Sequence, residues 1–517
     1  MSANNGFVSQ SGAYLYITGA GTYEFFGSAT NLQIQVNASG DDVVDLVFSG
    51  VTIANTKNSP VYIINADKTN IYLSEGTINT FTDATSYTYE DAVEEDPKAA
   101  IFSSDDLNIR GSGTLIVNGR FNNGIHSSND LRFKGSSSSY PKVTVTAVNN
   151  ALKGKDSVEV DYAELTLIST AGDAIQADTE DESDKGYVLI SDGIIDITSA
   201  RDAIQGYRYV QIDGGTITAK SGKGSSYSVT DSQSYKGIKS DLAIIINGGT
   251  ISLNSQDDAL HSNGTITING GTITISSGDD GIHGDTTVTI NGGTININKS
   301  YEGIEGLTIN IAGGTTHVIS SDDGINARTD TSIKPIVNIS DGYLYINASG
   351  DGLDSNGSIY ITGGTTIVNG PTVDNNGPID KGDGSGSIIS ITGGLLVAVG
   401  SKGMAVGPTT GSQYSALIGH SSVVGSSSLY VITDSNNTHL VAFKPAKNSY
   451  SICVSSPYFS TGTYKLYSGG SYANATSTTD GLYQGGVYTP GTQLASWTFS
   501  TSNVHYSTGV GGGGGPR

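Results

Sequence analysis

The sequence predicts an all-β chain: a right-handed parallel β-helix of roughly 22-residue coils with a C-terminal β-structured cap. Two in-phase motifs and one alternation carry that prediction. The first motif runs Gly237-Ile238-Lys239, Ala259-Leu260-His261, Gly281-Ile282-His283, Gly303-Ile304-Glu305 and Gly324-Ile325-Asn326, at spacings of 22, 22, 22 and 21 residues. The second runs Asn247-Gly248-Gly249-Thr250, Asn269-Gly270-Gly271-Thr272 and Asn291-Gly292-Gly293-Thr294, then Ala312-Gly313-Gly314-Thr315. Between them stand short alternating runs such as Thr265-Ile266-Thr267-Ile268 and Thr287-Val288-Thr289-Ile290. Alternation sends Ile and Val to one face of a strand and Thr to the other. A fixed period in the 20s with β-rich runs and glycine turns is a solenoid pattern, whereas propeller repeats run to about 40 residues or more.

The elements follow in chain order. Residues 1–40 are expected to form an N-terminal cap and first strands, and residues 41–410 the β-helix. Irregular early coils lie at Val44 to Ile53, Val61 to Ile64, Ile71 to Leu73 and Leu107 to Ile109. An acidic loop from Thr82 to Pro97, with Asp91, Glu94, Glu95 and Asp96, interrupts them. Gly124-Ile125-His126, Ala151-Leu152-Lys153, Ala174-Ile175-Gln176 and Ala203-Ile204-Gln205 carry the motif upstream at wider spacings, so some turns hold insertions. Gly352-Leu353-Asp354 and Gly403-Met404-Ala405 carry it downstream. After about residue 410 the GGT motif stops and Tyr becomes denser, from Tyr450 to Tyr488. Residues 411–505 therefore read as a β cap over the strand edges that a solenoid end exposes. Residues 506–517 read as a flexible Gly-rich tail.

Composition narrows the partners. The 517 residues hold 70 Gly and 11 Pro, which fits many tight turns without a collagen period. Lys and Arg total 26 against 49 Asp and Glu, a formal charge of −23. That balance disfavours nucleic acid and anionic lipid as partners. Cys453 is the single cysteine, so an intramolecular disulfide and a CxxC metal or redox pattern are both excluded. No run of 18 apolar residues is present to span a membrane as a helix. The opening MSANNGFVSQSG lacks the basic and apolar regions of a secretion signal, which leaves an intracellular chain or a processed mature form.

In-register coils turn repeated residues into columns. The residue ahead of each Gly or Ala is Asp173, Asp202, Lys236, Asp258, Asp280, Glu302, Asp323 and Asp351. Doublets occur at Asp257-Asp258, Asp279-Asp280 and Asp322-Asp323. Stacked about 4.8 Å apart, such carboxylates repel and raise one another's pKa unless a cation neutralises them. Ca²⁺, a hard ion that prefers oxygen donors, is the expected cofactor. Its expected ligands are drawn from Asp257, Asp258, Asp279, Asp280, Glu302, Asp322, Asp323, Asp351 and Asp354. The competing expectation is that these Asp cap turns through their own backbone. GDDGIHGD at 278–285 has the look of a calcium nonapeptide, but it does not recur every nine residues.

Two positions after the small residue lies a second, polar column that includes Lys153, Lys239, His261, His283, Glu305, Asn326 and Asp354. Lys239, His261, His283 and Glu305, with Tyr207 and Tyr235 as flanking rings, are the expected ligand-binding groups. Lys153 or Lys239 would serve as a lyase base if its pKa were depressed. The Thr array is broken at Ser252 and Asn296, and Thr favours strands in any case, so an ice-binding face is disfavoured.

The units DDALHSNGTITINGGT and SGDDGIHGDTTVTINGGTI carry a family resemblance, together with Gly370-Pro371-Thr372, Asn376-Gly377-Pro378-Ile379-Asp380 and Ile391-Thr392-Gly393-Gly394. Ser401-Lys402-Gly403-Met404, Gly462-Thr463-Tyr464 and Gly485-Gly486-Val487-Tyr488 add to it. Over roughly residues 40 to 500 the chain resembles secreted, calcium-containing carbohydrate-binding β-helix proteins of bacteria, similar in fold to family 9 polysaccharide lyases. The resemblance implies an extracellular or cell-surface protein that binds plant-type polysaccharide, acidic glycans such as pectin or else cellulose. A non-catalytic binding module is the leading expectation. A calcium-dependent polysaccharide lyase and a filament-forming or adhesive subunit, self-associating through solenoid ends, are its rivals.

Overall fold

A computed structural model describes residues 6–88, 97–328 and 332–507. The acids Asp91, Glu94, Glu95 and Asp96 and the tail from residue 508 onward lie outside the described residues. Every regular element described is a strand. The fold is a parallel β-solenoid with antiparallel sheet elements toward the C-terminus. It divides into two compact units, Met1–Gly264 with Asn269–Ile273 and Thr265–Ile268 with Thr274–Arg517.

The first unit opens on an antiparallel pair, Val8–Ser11 against Tyr14–Ile17, and parallel pairing begins where Tyr14–Ile17 meets Gln33–Asn37. A regular coil there has three strands, as the alternation predicts. Ile204–Gly206 stacks on Ile238–Ser240, Tyr209–Ile212 on Ala243–Ile246, and Thr216–Ser221 on Thr250–Ser255. Ile251 and Leu253 point inward while Thr250 and Ser252 face out, because strand side chains alternate. The NGGT turn works through its second glycine, which sits at φ 92° in both Gly249 and Gly271. A side chain is strained in that region, and a Cβ on Gly248 would also crowd the Asp213 carbonyl.

The second unit repeats the scheme with a variation. Ile282–Ile290 and Ile304–Ile311 each run the first two strands of a coil together, with a register irregularity between Gly284 and Thr287. The outer ladder Thr315–Ser320, Tyr343–Ala348, Thr365–Asn369 and Leu395–Gly400 remains parallel throughout. Leu395–Gly400 then pairs antiparallel with Ser449–Ser455, and this reversal ends the solenoid ladder. A separate six-stranded antiparallel sheet has Ser471–Thr479 at one edge and Thr492–Phe499 at the other. Its Tyr430, Phe443, Trp497 and Phe499 pack in one apolar cluster with Ile367, Val397 and Val399 of the solenoid wall. The Tyr-rich composition thus corresponds to a sheet laid on the wall of the coils.

Ile282, Ile304, Ile325 and Leu353 fill the bore with no measurable exposure. Close-packed interiors relax little around a deleted group. Ile304→Ala should therefore lower stability by about 2–5 kcal/mol, read from the shift of the urea midpoint.

Candidate functional site

The acidic column sits at a corner of each coil, built by a four-residue pattern of acid, Gly or Ala, Ile or Leu, then polar. The small residue is steric: a Cβ on Gly303 would run into the Gly324 carbonyl and Val318. The Ile or Leu enters the bore, which anchors the polar residues on either side of it. Backbone hydrogen bonds join successive corners. In the second unit the Gly281 N–H donates to Glu302 O, that of Gly303 to Asp323 O and that of Gly324 to Asp351 O, each at 2.9 Å.

The side chains ladder as well. In the first unit the Asp173 N–H donates to Asn150 Oδ1 at 3.0 Å, Asp202 N–H to Asp173 Oδ1 at 3.0 Å, and Lys236 N–H to Asp202 Oδ1 at 2.6 Å. In the second, Glu302 N–H donates to Asp280 Oδ1 at 3.2 Å and Asp351 N–H to Asp323 Oδ1 at 2.6 Å. Gly377 N–H donates to Asp351 Oδ1. The expected backbone capping is present, but in these six contacts the side chain caps the next coil. Asp257 follows the local pattern, accepting from the Asp258 N–H at 3.0 Å.

Capping consumes one carboxylate oxygen and leaves the charge, which the first unit neutralises with its own bases. Lys236 Nζ lies 3.1 Å from Asp257 Oδ2 and 2.8 Å from Asp258 Oδ2. His261 Nδ1 lies 2.8 Å from Asp258 Oδ2, and Lys239 Nζ 3.7 Å from Asp202 Oδ2. Burial opposes the charge on Lys236, but Asp258 and Asp257 outweigh it and hold its pKa above the ordinary lysine value. Lys153 is likewise paired, 2.6 Å from Asp178. Tyr235 donates its hydroxyl to Asp231 at 2.8 Å, and Tyr207 is half-buried in the turn after Ile204–Gly206.

The second unit presents a different balance. His283, Glu305, Asn326 and Asp354 occupy one register column, beside Asp280, Glu302, Asp323 and Asp351. Glu302, Glu305 and Asn326 are buried, and Asp323, Asp351 and Asp354 are half-buried. His283 and the half-exposed Arg328 touch this group. His283 lies 3.3 Å from Asp280 through Nδ1 and 3.3 Å from Glu305 through Nε2, while Arg328 Nε lies 3.0 Å from Glu305. Asp280, His283 and Glu305 bring one ligand atom each within 4.8 Å of the others. Burial, then the hydrogen bond and charge of Glu302, push Glu305 up to about 10. Burial, then the charge of Asp351, push Asp323 up to about 8. Asp354 is raised well above the carboxylate range by burial, then by Asp323 and Asp351. Asp322 receives the Tyr301 hydroxyl and so holds the tyrosine up at about 12, whereas Asp279 is exposed.

Asn326 marks the centre of the array. Its Nδ2 donates to Glu302 Oε2 at 2.6 Å, with Glu305 Oε2 at 3.5 Å. Its Oδ1 is buried and has no hydrogen-bond partner. A buried carbonyl oxygen without a partner, in a register column that also holds Glu305 and Asp354, is a donor that suits a hard cation. Spacing places Glu302, Asp323 and Asp351 at successive corners and Glu305 and Asp354 in the adjacent register column. It does not single out Asn326 as a donor or Lys236 as the neutralising base of Asp257 and Asp258. The signal for both is their place in a column of acids.

A carbohydrate-binding domain family model matches residues 11–281 and 279–410. The chain belongs to that family. A carbohydrate-binding domain-containing protein of Acetivibrio thermocellus is 40% identical over 206 residues, which is 40% of this chain and 70% of the relative. A solved structure of a polysaccharide lyase-like protein from C. thermocellum, a gadolinium derivative, is 33% identical. It aligns over 52% of this chain and 91% of its own, with a TM-score of 0.40.

Two outcomes follow from the charge balance. Lys236→Met removes the ammonium between Asp257 and Asp258, leaving Asp258 with His261 alone, and should cost about 3–5 kcal/mol of stability by denaturant titration. Burial, then the neighbouring Asp202, raise Asp173 from 3.8 to about 7, so the folded protein holds a proton there that the unfolded chain releases. This contribution is present below about pH 4 and is lost as pH rises toward 7. The urea midpoint of Asp173→Asn should therefore change less with pH over that window than that of the parent.

Proposed function

We propose that this protein binds an acidic polysaccharide of the uronate type through Ca²⁺ held on the carboxylate array of the second unit. The observation that carries this reading is the bare Asn326 Oδ1 among Glu302, Glu305 and Asp354. Family membership supplies the carbohydrate, and the array supplies the reason for an acidic one. An anionic surface repels a uronate chain unless a shared cation intervenes. Glu302, Glu305, Asn326 and Asp354 would hold the ion, with Asp323 and Asp351 alongside. A bound Ca²⁺ supplies positive charge that protein and glycan carboxylates share, and it accepts 6–8 oxygen ligands. Asn326 contributes a neutral carbonyl, and Arg328, next to Glu305, contributes a second positive group at the rim.

Binding fits these residues better than elimination chemistry. Lys153 and Lys239, the residues considered as a lyase base, are each ion-paired with an aspartate. The reading places the protein at an extracellular or cell-surface site, where calcium modules work at about 10⁻⁴–10⁻³ M.

Titration calorimetry with Ca²⁺ and retention on polygalacturonate gels test the reading together. Ca²⁺ should bind, EDTA should abolish retention, and Asn326→Ala or Asp354→Asn should each weaken Ca²⁺ binding at least tenfold. No detectable Ca²⁺ binding, or retention indifferent to EDTA, would sink it. Release of unsaturated uronate products, followed by ultraviolet absorbance, would replace binding with lyase activity.

A further inference from the structure

A cavity of about 350 Å³ lies in the second unit, away from the acidic corner, where the edge hairpin of the antiparallel sheet meets the outer wall of the solenoid. Thr315, His317 and Tyr343 line it from the coils. Ser477, Thr479 and Gln484 line it from the two strands of the hairpin. The hairpin turns on Asp480 and Gly481, both at positive φ, 48° and 83°. That turn carries the Asp480 carboxylate back onto the coil wall. There Asp480 Oδ2 accepts from His317 Nε2 and from the Tyr343 hydroxyl, each at 2.8 Å. The two rings lie 5.9 Å apart, with Tyr345 on the other side of His317 at 5.5 Å. Two aromatic rings are thus locked in orientation by one buried-side anchor.

Part of the remaining lining is already paired, since Ser477 Oγ and Thr479 Oγ1 lie 3.1 Å apart. His317 Nδ1 is buried and has no hydrogen-bond partner, a cost of about 1–3 kcal/mol for a polar group left unmade. The hydroxyls of Thr315, Ser477 and Thr479 and the amide of Gln484 converge beside the rings. The lining thus combines two aromatic rings and Leu482 with hydroxyl and amide groups, the chemistry that suits a polyhydroxylated ring with an apolar C–H face. A volume of 350 Å³ is at the low end of ligand sites, which run to about 300–1,000 Å³. The wall continues past the cavity in register, Thr294 beside Thr315 and Asn296 beside His317, and Thr294 is exposed. A polymer held by one ring has a polar track along which to leave.

The geometry points to a second, metal-independent glycan subsite at this cavity, which takes one neutral pyranose ring of a polysaccharide. Charge selects neutrality. Lys and Arg are absent from the lining and Asp480 stands at its edge, so a uronate would meet repulsion with nothing to offset it. The hairpin that completes the cavity lies beyond the residues matched by the family model, which end at 410. The subsite is separate from the calcium reading, and EDTA tells them apart: it strips the array and leaves this cavity intact.

Calorimetric titration of the full chain in EDTA with cellohexaose, xylohexaose and mannohexaose tests it. At least one should bind. Gln484→Ala, an exposed change that leaves the core alone, should weaken that binding at least tenfold. Thr315→Trp, which fills the cavity, should abolish it, and Thr315→Ser should retain it, with circular dichroism confirming the strand content of each variant. Three results would overturn the subsite. One is no binding of any of the three at millimolar concentration. Another is binding indifferent to Gln484→Ala. The third is EDTA-resistant binding of oligogalacturonate that Gln484→Ala removes, which would assign the cavity to an acidic sugar instead.

Discussion

The stacking of coils in register is the constraint on which the rest of this structure depends. Successive corners are joined through the backbone, and many of them a second time through a side-chain oxygen that receives the next coil's N–H. Asp202 on Asp173 and Glu302 on Asp280 show the second link in the two units. A corner residue that makes this link needs a short acceptor, which Asn123, Asn150 and Asp provide. Asparagine makes this link without charge. Aspartate makes the same link and adds a negative charge at every repeat. A sequence that repeats Asp at this corner has accepted a column of charge that something else must balance.

The two units balance it differently. In the first unit lysine enters the columns: Lys236 takes the corner itself and spans Asp257 and Asp258, while Lys239 reaches Asp202. That arrangement is closed, because the opposite charges are already met within the protein. In the second unit the same positions read Asp280, Glu302, Asp323 and Asp351, with Glu305, Asn326 and Asp354 alongside. Burial and the neighbouring carboxylates push Glu305 up to about 10 and Asp323 up to about 8, which disfavours full ionisation of the group. Carboxylates poised this way exchange protons for a divalent ion, and the exchange becomes more favourable as pH rises.

Much of this was open to inspection in the sequence because a solenoid converts sequence distance into spatial adjacency. The period alone implies that Glu305 lies beside Asn326, and alternation alone puts Ile304 and Ile325 in the bore. What spacing lacks is the identity of the partner across a coil. Asn326 reads as one more solvated polar residue until its carbonyl is seen to have nothing to bond. Lys236 reads as a break in the acidic column until its ammonium is seen between two aspartates. The wall cavity is less legible still, since His317 and Asp480 are 163 residues apart and meet through a sheet with no repeat. Composition marks that sheet as Tyr-rich, but its pairing order is a long-range choice that no period encodes.

The C-terminal sheet also changes what the coil wall presents. Regular coils offer rows of Thr and Asn that are alike at every level, and such a face discriminates poorly between ligands. Packing of Tyr430, Phe443 and Trp497 against Ile367 and Val397 covers part of the wall. It leaves a step at its edge, where Tyr343 and His317 stand in a concave, fixed setting. Specific recognition needs this kind of asymmetry, because a ring of defined shape is held by groups that converge on it and not by a repeating plane. On the two proposed readings, a repetitive scaffold acquires distinct sites in two ways: by substitution inside a column, as at Asn326, and by an addition laid against the column, as at Asp480. The first depends on charge and the second on shape, so the two can be lost or altered separately.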